Sequence, residues 1–181
     1  MIEIHNLTSY KYEWIQGAAA LLNNAFPHSY TNLDEAKEEV YKCLEKGKIA
    51  LVAVESSRVV GLISAMTRYG ATGWELHPLV VNQEYRGNGI GSRLVKVLEE
   101  RVTSCGGVTI FLGCDDESGA TSLSNCDLYE DTYQKITEIK NLKMHPYEFY
   151  QKQGYKIVGV FPDANGIGKP DIWMSKRLTL S

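Results

Sequence analysis

Apolar side chains recur at two different spacings along the chain, and the spacing predicts where strands and helices lie. Residues 2–7 alternate between apolar and polar side chains, which indicates a first, half-buried strand. Residues 14–26 carry apolar side chains at intervals of three and four, which predicts an amphipathic helix, and Pro27 ends it. Residues 33–44 repeat the helical spacing, so two helices follow the first strand.

The middle of the chain predicts three strands, a helix and a further strand. The apolar stretches 49–55, 59–68 and 74–81 are separated by links of only a few residues, which favours antiparallel hairpins. Residues 90–103 return to helical spacing, and residues 108–112 form a short apolar run that predicts another strand.

The last third of the chain predicts two helical pieces and a closing hairpin. The helical pieces lie around residues 127–139 and 147–153, and the hairpin strands over 155–161 and 171–178, joined by a long tip at 162–170. The complete order is β-α-α-β-β-β-α-β-α-β-β. It predicts a mixed α/β (α+β) fold in which helices flank a largely antiparallel, seven-stranded sheet. The length fits one domain over residues 1–181.

Composition and charge argue against several classes of partner. The net charge is −3 and no basic stripe is present, so we expect no nucleic-acid partner. No apolar run approaches the roughly 20 residues that span a bilayer, so we expect no membrane association. The first ten residues lack the basic and apolar regions of a secretion signal, which predicts a cytoplasmic protein.

The cysteines do not predict a metal site. None of the four belongs to a C-x-x-C pair, and no histidine lies beside them at the spacing of a zinc site. In a reducing compartment we expect free thiols packed as small apolar groups and no bound metal. The four are Cys43, Cys105, Cys114 and Cys126.

A glycine-rich turn, residues 86–91, separates the third strand of the middle hairpins from the next helix. Glycine allows the backbone to approach a ligand, and a helix N-terminus offers unpaired N–H groups with a partial positive charge. Together they suit a pyrophosphate. No Lys-Ser or Lys-Thr follows, which argues against a P-loop, and Ser92 stands where a dinucleotide fold needs its third glycine. The alternative of a tight turn that binds no ligand remains open at this point.

The turn resembles the [QR]-x-x-G-x-[GA] motif of the GCN5-related N-acetyltransferase (GNAT) superfamily, with Arg86, Gly89 and Gly91 in its three defined positions. The element order is also similar to that fold. The resemblance implies acetyl-CoA as the co-substrate, with its pyrophosphate bound by backbone N–H groups of the turn and its pantetheine arm paired with the preceding strand. The implied coenzyme-binding residues are Leu79, Val80, Val81, Arg86, Gly87, Asn88, Gly89, Ile90, Gly91 and Ser92.

Longer segments resemble the aminoglycoside 6'-N-acetyltransferases, especially the chromosomal type of Gram-positive cocci. These segments are residues 73–81, 128–132, 145–166 and 168–176. The resemblance implies transfer of an acetyl group from acetyl-CoA to the 6'-amine of an aminoglycoside, and it implies a homodimer. Two other hypotheses remain open: a protein or polyamine N-acetyltransferase with incidental aminoglycoside activity, and a non-catalytic CoA-binding module.

Several residues are candidates for contact with the acceptor. Asp115, Asp116 and Glu117 are consecutive, which suits either a solvated loop or a surface for a cationic substrate. The resemblance favours substrate binding for Asp115 and Asp116, and it implies that Phe26 and Tyr69 line the sugar pocket.

The reaction requires an amine that has lost its proton and a donor for the negative carbonyl oxygen. Glu75 and His77 lie two positions apart on one strand and so share a face. Glu75 suits either the acceptor of the amine proton or a counter-charge that orients the ammonium. His77 is a second candidate, with a packing role as its alternative. The resemblance implies that the Leu79 N–H is the oxyanion donor and that Tyr150, near the CoA sulfur, protonates the leaving thiolate.

Overall fold

A computed structural model describes residues 1–178, whose elements follow the predicted order. The strands are β1 (Glu3–Asn6), β2 (Lys48–Glu55), β3 (Arg58–Tyr69), β4 (Gly73–Val81), β5 (Thr109–Asp115), β6 (Lys156–Phe161) and β7 (Asp171–Arg177). The helices are α1 (Tyr12–Ala25), α2 (Leu33–Cys43), α3 (Ile90–Ser104), α4 (Thr132–Thr137) and α5 (Tyr147–Lys152). A 3-10 turn, Gln83–Tyr85, precedes the glycine-rich segment. The predicted fold class, a seven-stranded sheet with helices, is confirmed.

Two predicted boundaries are wrong by more than two residues. Strand β5 continues to Asp115 instead of ending at residue 112. The helix expected over residues 127–139 is limited to α4, because the Asp127 carboxylate accepts the N–H of Tyr129 at 2.9 Å and so closes a turn before it. Asp131 then adopts a left-handed backbone conformation, which begins the helix only at Thr132.

The first compact unit comprises residues 1–110 with Leu178. Its strands β1 to β4 pair in sequence order, each antiparallel to the next. Helices α1 and α2 share a buried apolar cluster with one face of these strands, to which Leu62 and Val80 belong. On the other face, a Cβ at Gly61 would lie 2.9 Å from Leu94 Cδ1, so the glycine lets α3 approach the sheet closely.

Helix α2 begins at a cap that the sequence prediction did not include. The Asn32 side chain accepts the N–H groups of Asp34 and Glu35, both at 3.0 Å, which satisfies two donors of the first turn. The two acidic residues in that turn also oppose the positive end of the helix dipole. This cap fixes where the α1–α2 loop meets α2.

The second compact unit comprises residues 111–177. Strands β6 and β7 form the predicted hairpin, with Val160 opposite Ile172, and β7 lies between β5 and β6. The interior of this unit is apolar and aromatic, with Leu112, Leu123 and Tyr155 fully buried.

The cysteine thiols are free, but only two of them are buried. Cys43 and Cys114 are packed as predicted, whereas Cys105 is exposed and Cys126 is intermediate. Cys105 follows the last turn of α3, where the chain is at the surface, so the expectation of four packed thiols is wrong. Within residues 1–178 no helix has the length and apolar character that a membrane span needs.

Candidate active site

Strand β4 carries a bulge beside Pro78. Ile63 of β3 faces Leu79, whereas Ala65 faces Leu76, so one residue of β3 stands opposite two of β4. The two β4 residues opposite that single β3 residue are His77 and Pro78, which are joined by a cis peptide bond. A bulge of this kind interrupts the regular ladder and re-aims the side chains on either side of it. The strand therefore presents Glu75 before the bulge and Val80 after it on the same face, towards α1 and α2.

Glu75 is held by an arginine of the neighbouring strand. The Arg68 Nε–H donates to Glu75 Oε2 in an ion pair across the β3–β4 hairpin. The Glu75 side chain is 22% exposed and that of Arg68 is 52% exposed, so the carboxylate is the more enclosed partner. The candidate base therefore lies directly beside a guanidinium.

His77 lies at the surface opposite α2. Its side chain is exposed, and its Nε2 is 3.9 Å from Glu39 Oε1. Glu39 also lies 3.6 Å from the Lys42 ammonium of the next turn. This exposed position does not favour the packing role considered for His77. Glu39 supplies a second carboxylate beside the strand that carries Glu75.

The loop between α1 and α2 places Phe26 near this face. Phe26 ends α1 and is partly exposed, and its ring centroid is 6.5 Å from that of Tyr30 in an edge-on contact. Burial, followed by the charges of Glu39 and Cys43, raises the pKa of Tyr30 to about 12. Tyr30 therefore keeps its proton and anchors the loop beside α2.

Tyr69 closes β3 as an exposed aromatic side chain. It lies directly over Gly73, where an added Cβ would be 2.9 Å from the Tyr69 Cβ and Cδ2 atoms. Gly73 thus leaves room for the tyrosine across the hairpin, and the ring stays accessible at the end of the hairpin that also carries Arg68 and Glu75.

The glycine-rich turn has the features that an anion site requires. Gly87 and Gly89 have positive φ angles of 79° and 73°, and a Cβ at either would meet nothing within 4 Å. Gly89 is the N-cap of α3, and among residues 1–178 no side chain caps this helix. The backbone of Gly87 and Gly89 is therefore open to a ligand at the positive end of a 15-residue helix. These residues fit a diphosphate.

Two polar contacts hold the turn against the end of β4. The Arg86 Nε–H donates to the Val81 carbonyl at 3.2 Å, and the Asn88 amide donates to the Tyr85 carbonyl at 3.3 Å. The Arg86 side chain thus holds the turn against the backbone at the end of β4.

In the second unit, Asp115 and Asp116 have different environments. Asp115 is exposed, and its Oδ1 accepts the amide of Asn165 at 2.6 Å from the long β6–β7 tip. Asp116 is only 1% exposed, and its two oxygens accept the N–H groups of Ala120 and Thr121, each at 2.7 Å. Asp115 therefore faces solvent, whereas Asp116 ties the following loop to the end of β5.

Substitution of Asp116 by asparagine tests this structural role. One oxygen would become an NH₂ group facing an N–H donor, so we expect the free energy of unfolding to fall by about 1–3 kcal/mol. Urea unfolding of D116N beside D115N measures this loss, and an equal loss in both variants would contradict the assignment.

Burial disfavours the ionised Asp116 carboxylate, but its hydrogen bonds prevail and hold the Asp116 pKa below 3.8. Its contribution is therefore present above pH 3.8 and lost as the pH falls through the folded pKa.

His145 holds the backbone at the end of β5. Its Nδ1 accepts the Tyr147 N–H at 3.3 Å, which assigns the proton to Nε2 and makes it the donor to the Asp115 carbonyl at 3.1 Å. Burial lowers the pKa of His145, more than the Asp115 carbonyl and the charges of Asp116 and Asp115 raise it. A neutral imidazole therefore fixes the backbone of Asp115.

Tyr150 lies inside the second unit on α5. Its ring contacts those of Phe149 and Tyr155 edge-on, with centroids 5.0 Å and 5.7 Å away. Burial, with a smaller effect of the Cys114 thiol, raises the pKa of the Tyr150 hydroxyl. The hydroxyl is therefore protonated at neutral pH and available as a hydrogen-bond donor.

Sequence reasoning missed three residues of these surroundings: Arg68, Glu39 and Asn165. Arg68 gave no usable signal, because it lies at a shift in the β3–β4 register that no local pattern indicates. Glu39 lies on a helix whose polar face gave no indication of its neighbour, and Asn165 belongs to a loop that the pattern left without structure.

Comparison with known proteins places these features in a family. The sequence profile of the Acetyltransferase (GNAT) family matches residues 15–131. Among curated protein sequences, none matches significantly. Three solved structures each cover 98% of this chain, and 97% of each is covered in return. They are an aminoglycoside 6'-N-acetyltransferase complexed with coenzyme A (48% identity, TM-score 0.95), the aminoglycoside 6'-N-acetyltransferase from Enterococcus faecium (47%, 0.93) and an aminoglycoside 6'-acetyltransferase type Ii (41%, 0.78).

Proposed function

The chain belongs to the Acetyltransferase (GNAT) family, and we propose that it transfers the acetyl group of acetyl-CoA to the 6'-amine of aminoglycosides. The observation that carries this proposal is similarity over almost the whole chain to three enzymes of that activity, one of them complexed with coenzyme A. The carboxylates of Glu75 and Glu39, which lie on or beside strand β4, suit a polycationic acceptor.

The α3 N-terminus would hold the coenzyme. When bound, acetyl-CoA supplies an acetyl group activated as a thioester. Backbone N–H groups of the turn and of the start of α3 would bind the pyrophosphate at the positive end of the helix, while the Arg86 N–H donates to the Gln83 carbonyl at 3.3 Å. The backbone of Leu79, Val80 and Val81 would pair with the pantetheine arm. Because the turn is preformed around two positive-φ glycines, little ordering is needed on binding.

Glu75 and His77 act on the amine. An ammonium has no lone pair, so its proton must leave before the nitrogen attacks the thioester carbon. Glu75 takes this proton, directly or through water, before the C–N bond forms. His77, two positions along on the exposed face, is the second group able to receive it. After the attack the nitrogen is positively charged and loses its second proton to solvent. The C–S bond then breaks, the acetyl group stays on the nitrogen, and CoA leaves as the thiolate.

Leu79 and Tyr150 act on the groups that become negative. The backbone N–H of Leu79, directly after the bulge, donates to the carbonyl oxygen during attack. Tyr150 donates a hydrogen bond to the sulfur as it leaves. The raised pKa of Tyr150 favours a hydroxyl that stays protonated over an acid that gives up its proton readily.

Three further residues would contact the rest of the acceptor, and a fourth, Asp116, would support them from within the fold. Asp115 contributes an exposed carboxylate and Asp116 supports the loop behind it. Phe26 and Tyr69 provide exposed rings against which a sugar can pack.

The state and location of the enzyme belong to the same proposal. The resemblance to the aminoglycoside 6'-N-acetyltransferases supports a cytoplasmic homodimer of a single-domain chain, without nucleic-acid or membrane partners. Sedimentation equilibrium of the pure protein checks the dimer, and a single species of about 20.3 kDa would contradict it.

Product mapping tests the reaction itself. The purified chain is incubated with acetyl-CoA and, separately, a kanamycin-type aminoglycoside, spermidine and a basic protein. We expect one acetyl group on the 6'-nitrogen of the aminoglycoside, located by tandem mass spectrometry. An aminoglycoside with a 6'-hydroxyl in place of the amine is the matched control and should not react. Transfer only to protein or spermidine would overturn the acceptor assignment, and no transfer to any acceptor would overturn catalysis.

A further inference from the structure

We propose that Arg68 occupies the acceptor's place on Glu75 and is displaced when a cationic acceptor binds, so that Arg68 sets the affinity for the acceptor. The inference rests on the proposed function, because it takes Glu75 as the group that meets the reacting amine. It concerns a residue of β3 that the sequence motifs do not include.

The geometry of the hairpin brings the two side chains together. Met66 faces Glu75 and Thr67 faces Trp74, and the register then shifts before Tyr69 meets Gly73. Arg68 lies at that irregularity, two positions beyond Met66, which makes it the diagonal neighbour of Glu75 on the same face. Its Nε–H therefore reaches the Glu75 carboxylate across the strands.

The exposures of the two side chains decide which of them yields. Arg68 is 52% exposed, whereas Glu75 is 22% exposed. Within residues 1–178, Glu75 is the sole ion-pair or hydrogen-bond partner found for the Arg68 side chain. The guanidinium can thus swing into solvent without breaking another contact, while the carboxylate stays.

An ammonium that reaches Glu75 cannot easily share it with Arg68. Two cations a few ångströms apart repel each other, and the repulsion grows with each further charge on the acceptor. A guanidinium keeps its charge at every pH that the protein survives, so deprotonation offers no release. Acceptor binding therefore requires displacement of the Arg68 guanidinium from Glu75. The free-energy cost of this displacement lowers the affinity for the acceptor.

Steady-state kinetics of Arg68→Gln test the exchange. We expect KM for a polyamino acceptor to fall about two- to fivefold, the scale of a partly exposed ion pair. The kcat should stay within twofold, since Glu75 keeps its place and its role. The fall in KM should be larger for an acceptor with more amines and smaller at 0.5 M salt. Arg68→Lys, which retains the charge, should return KM towards that of the unmodified chain.

Two comparisons separate this mechanism from a general effect of charge. Arg58 lies at the other end of the same strand and pairs with Glu84 at 3.8 Å, so Arg58→Gln removes a similar pair and should leave KM unchanged. In a Glu75→Gln background, Arg68→Gln should have no further effect on KM, because the group for which the cations compete is gone.

The opposite outcomes are equally definite. A raised KM, an unchanged KM, or a lower kcat in Arg68→Gln would show that Arg68 positions Glu75 or has no role, and would overturn the inference while aminoglycoside acetylation by the unmodified chain persists. Failure of the unmodified chain to acetylate any aminoglycoside would instead overturn the proposed function.

Discussion

Replacement of Glu75 by glutamine is expected to lower kcat for aminoglycoside acetylation about 10²-fold, at the lower end of what a positioned general base contributes. Glutamine keeps the shape of the side chain and cannot accept the proton of the ammonium. The Kd for CoA, measured by calorimetry, should stay within twofold, because in the proposed mode the turn before α3 and the β4 backbone bind the coenzyme.

Kinetic parameters separate the two roles considered for Glu75. Loss of a base lowers kcat, and the deficit shrinks at a pH high enough to deprotonate the acceptor amine without help. Loss of a counter-charge alone raises KM and leaves kcat unchanged, which would contradict the assignment as base. Glu3→Gln is a suitable control, since Glu3 also lies on a strand two positions before a histidine. Its Oε2 is 3.2 Å from His5 Nε2.

Most of the fold could be predicted because local spacing determines it. Strands β2, β3 and β4 and helix α3 bury one or both faces, so their apolar residues recur at regular intervals and identify the element type. The start of α4 could not be predicted in this way. The Asp127 turn that delays it depends on a side-chain hydrogen bond, which competes with the helix without changing the apolar pattern.

The family was predictable from the glycine-rich turn. Arg86, Gly89 and Gly91 lie close together in sequence, and their role depends on backbone conformation within one turn. The GNAT family resemblance inferred from them is confirmed by the profile match and by the solved relatives.

The acceptor side depends on contacts between distant residues, and sequence alone gave only candidates. Asp115 and Asp116 looked equivalent, yet one is exposed and the other is tied to Ala120 and Thr121. Strand alternation held a usable signal, since Asp116 continues the parity of the buried Leu112 and Cys114. The Arg68–Glu75 pair depends on an irregular register that no local pattern indicates.

Replacement of Gly89 by alanine is expected to raise the Kd for CoA about tenfold. Gly89 adopts φ +73° and ψ +5° as the N-cap of α3, a left-handed conformation that costs an L-residue roughly 1–2 kcal/mol. Open space surrounds the position, so the penalty comes from backbone conformation and not from a collision. A turn that relaxes to relieve it no longer aims the first-turn N–H groups at one diphosphate, and about 1.4 kcal/mol of lost binding is a factor of ten.

Gly106→Ala provides the matched control at the opposite end of the same helix. Gly106 has φ +84°, and an added Cβ there also meets nothing within 4 Å, so both variants should lose a similar free energy of unfolding. Only the Gly89 variant should lose affinity for CoA in calorimetry, because only its turn presents free donors at the positive end of the dipole. Equal CoA affinity in the two variants would show that the diphosphate is not held at this turn. A loss confined to G89A, with stability matched, would place the binding energy in the backbone of residues 86–92, where side-chain substitutions such as Asn88→Ala should change it little.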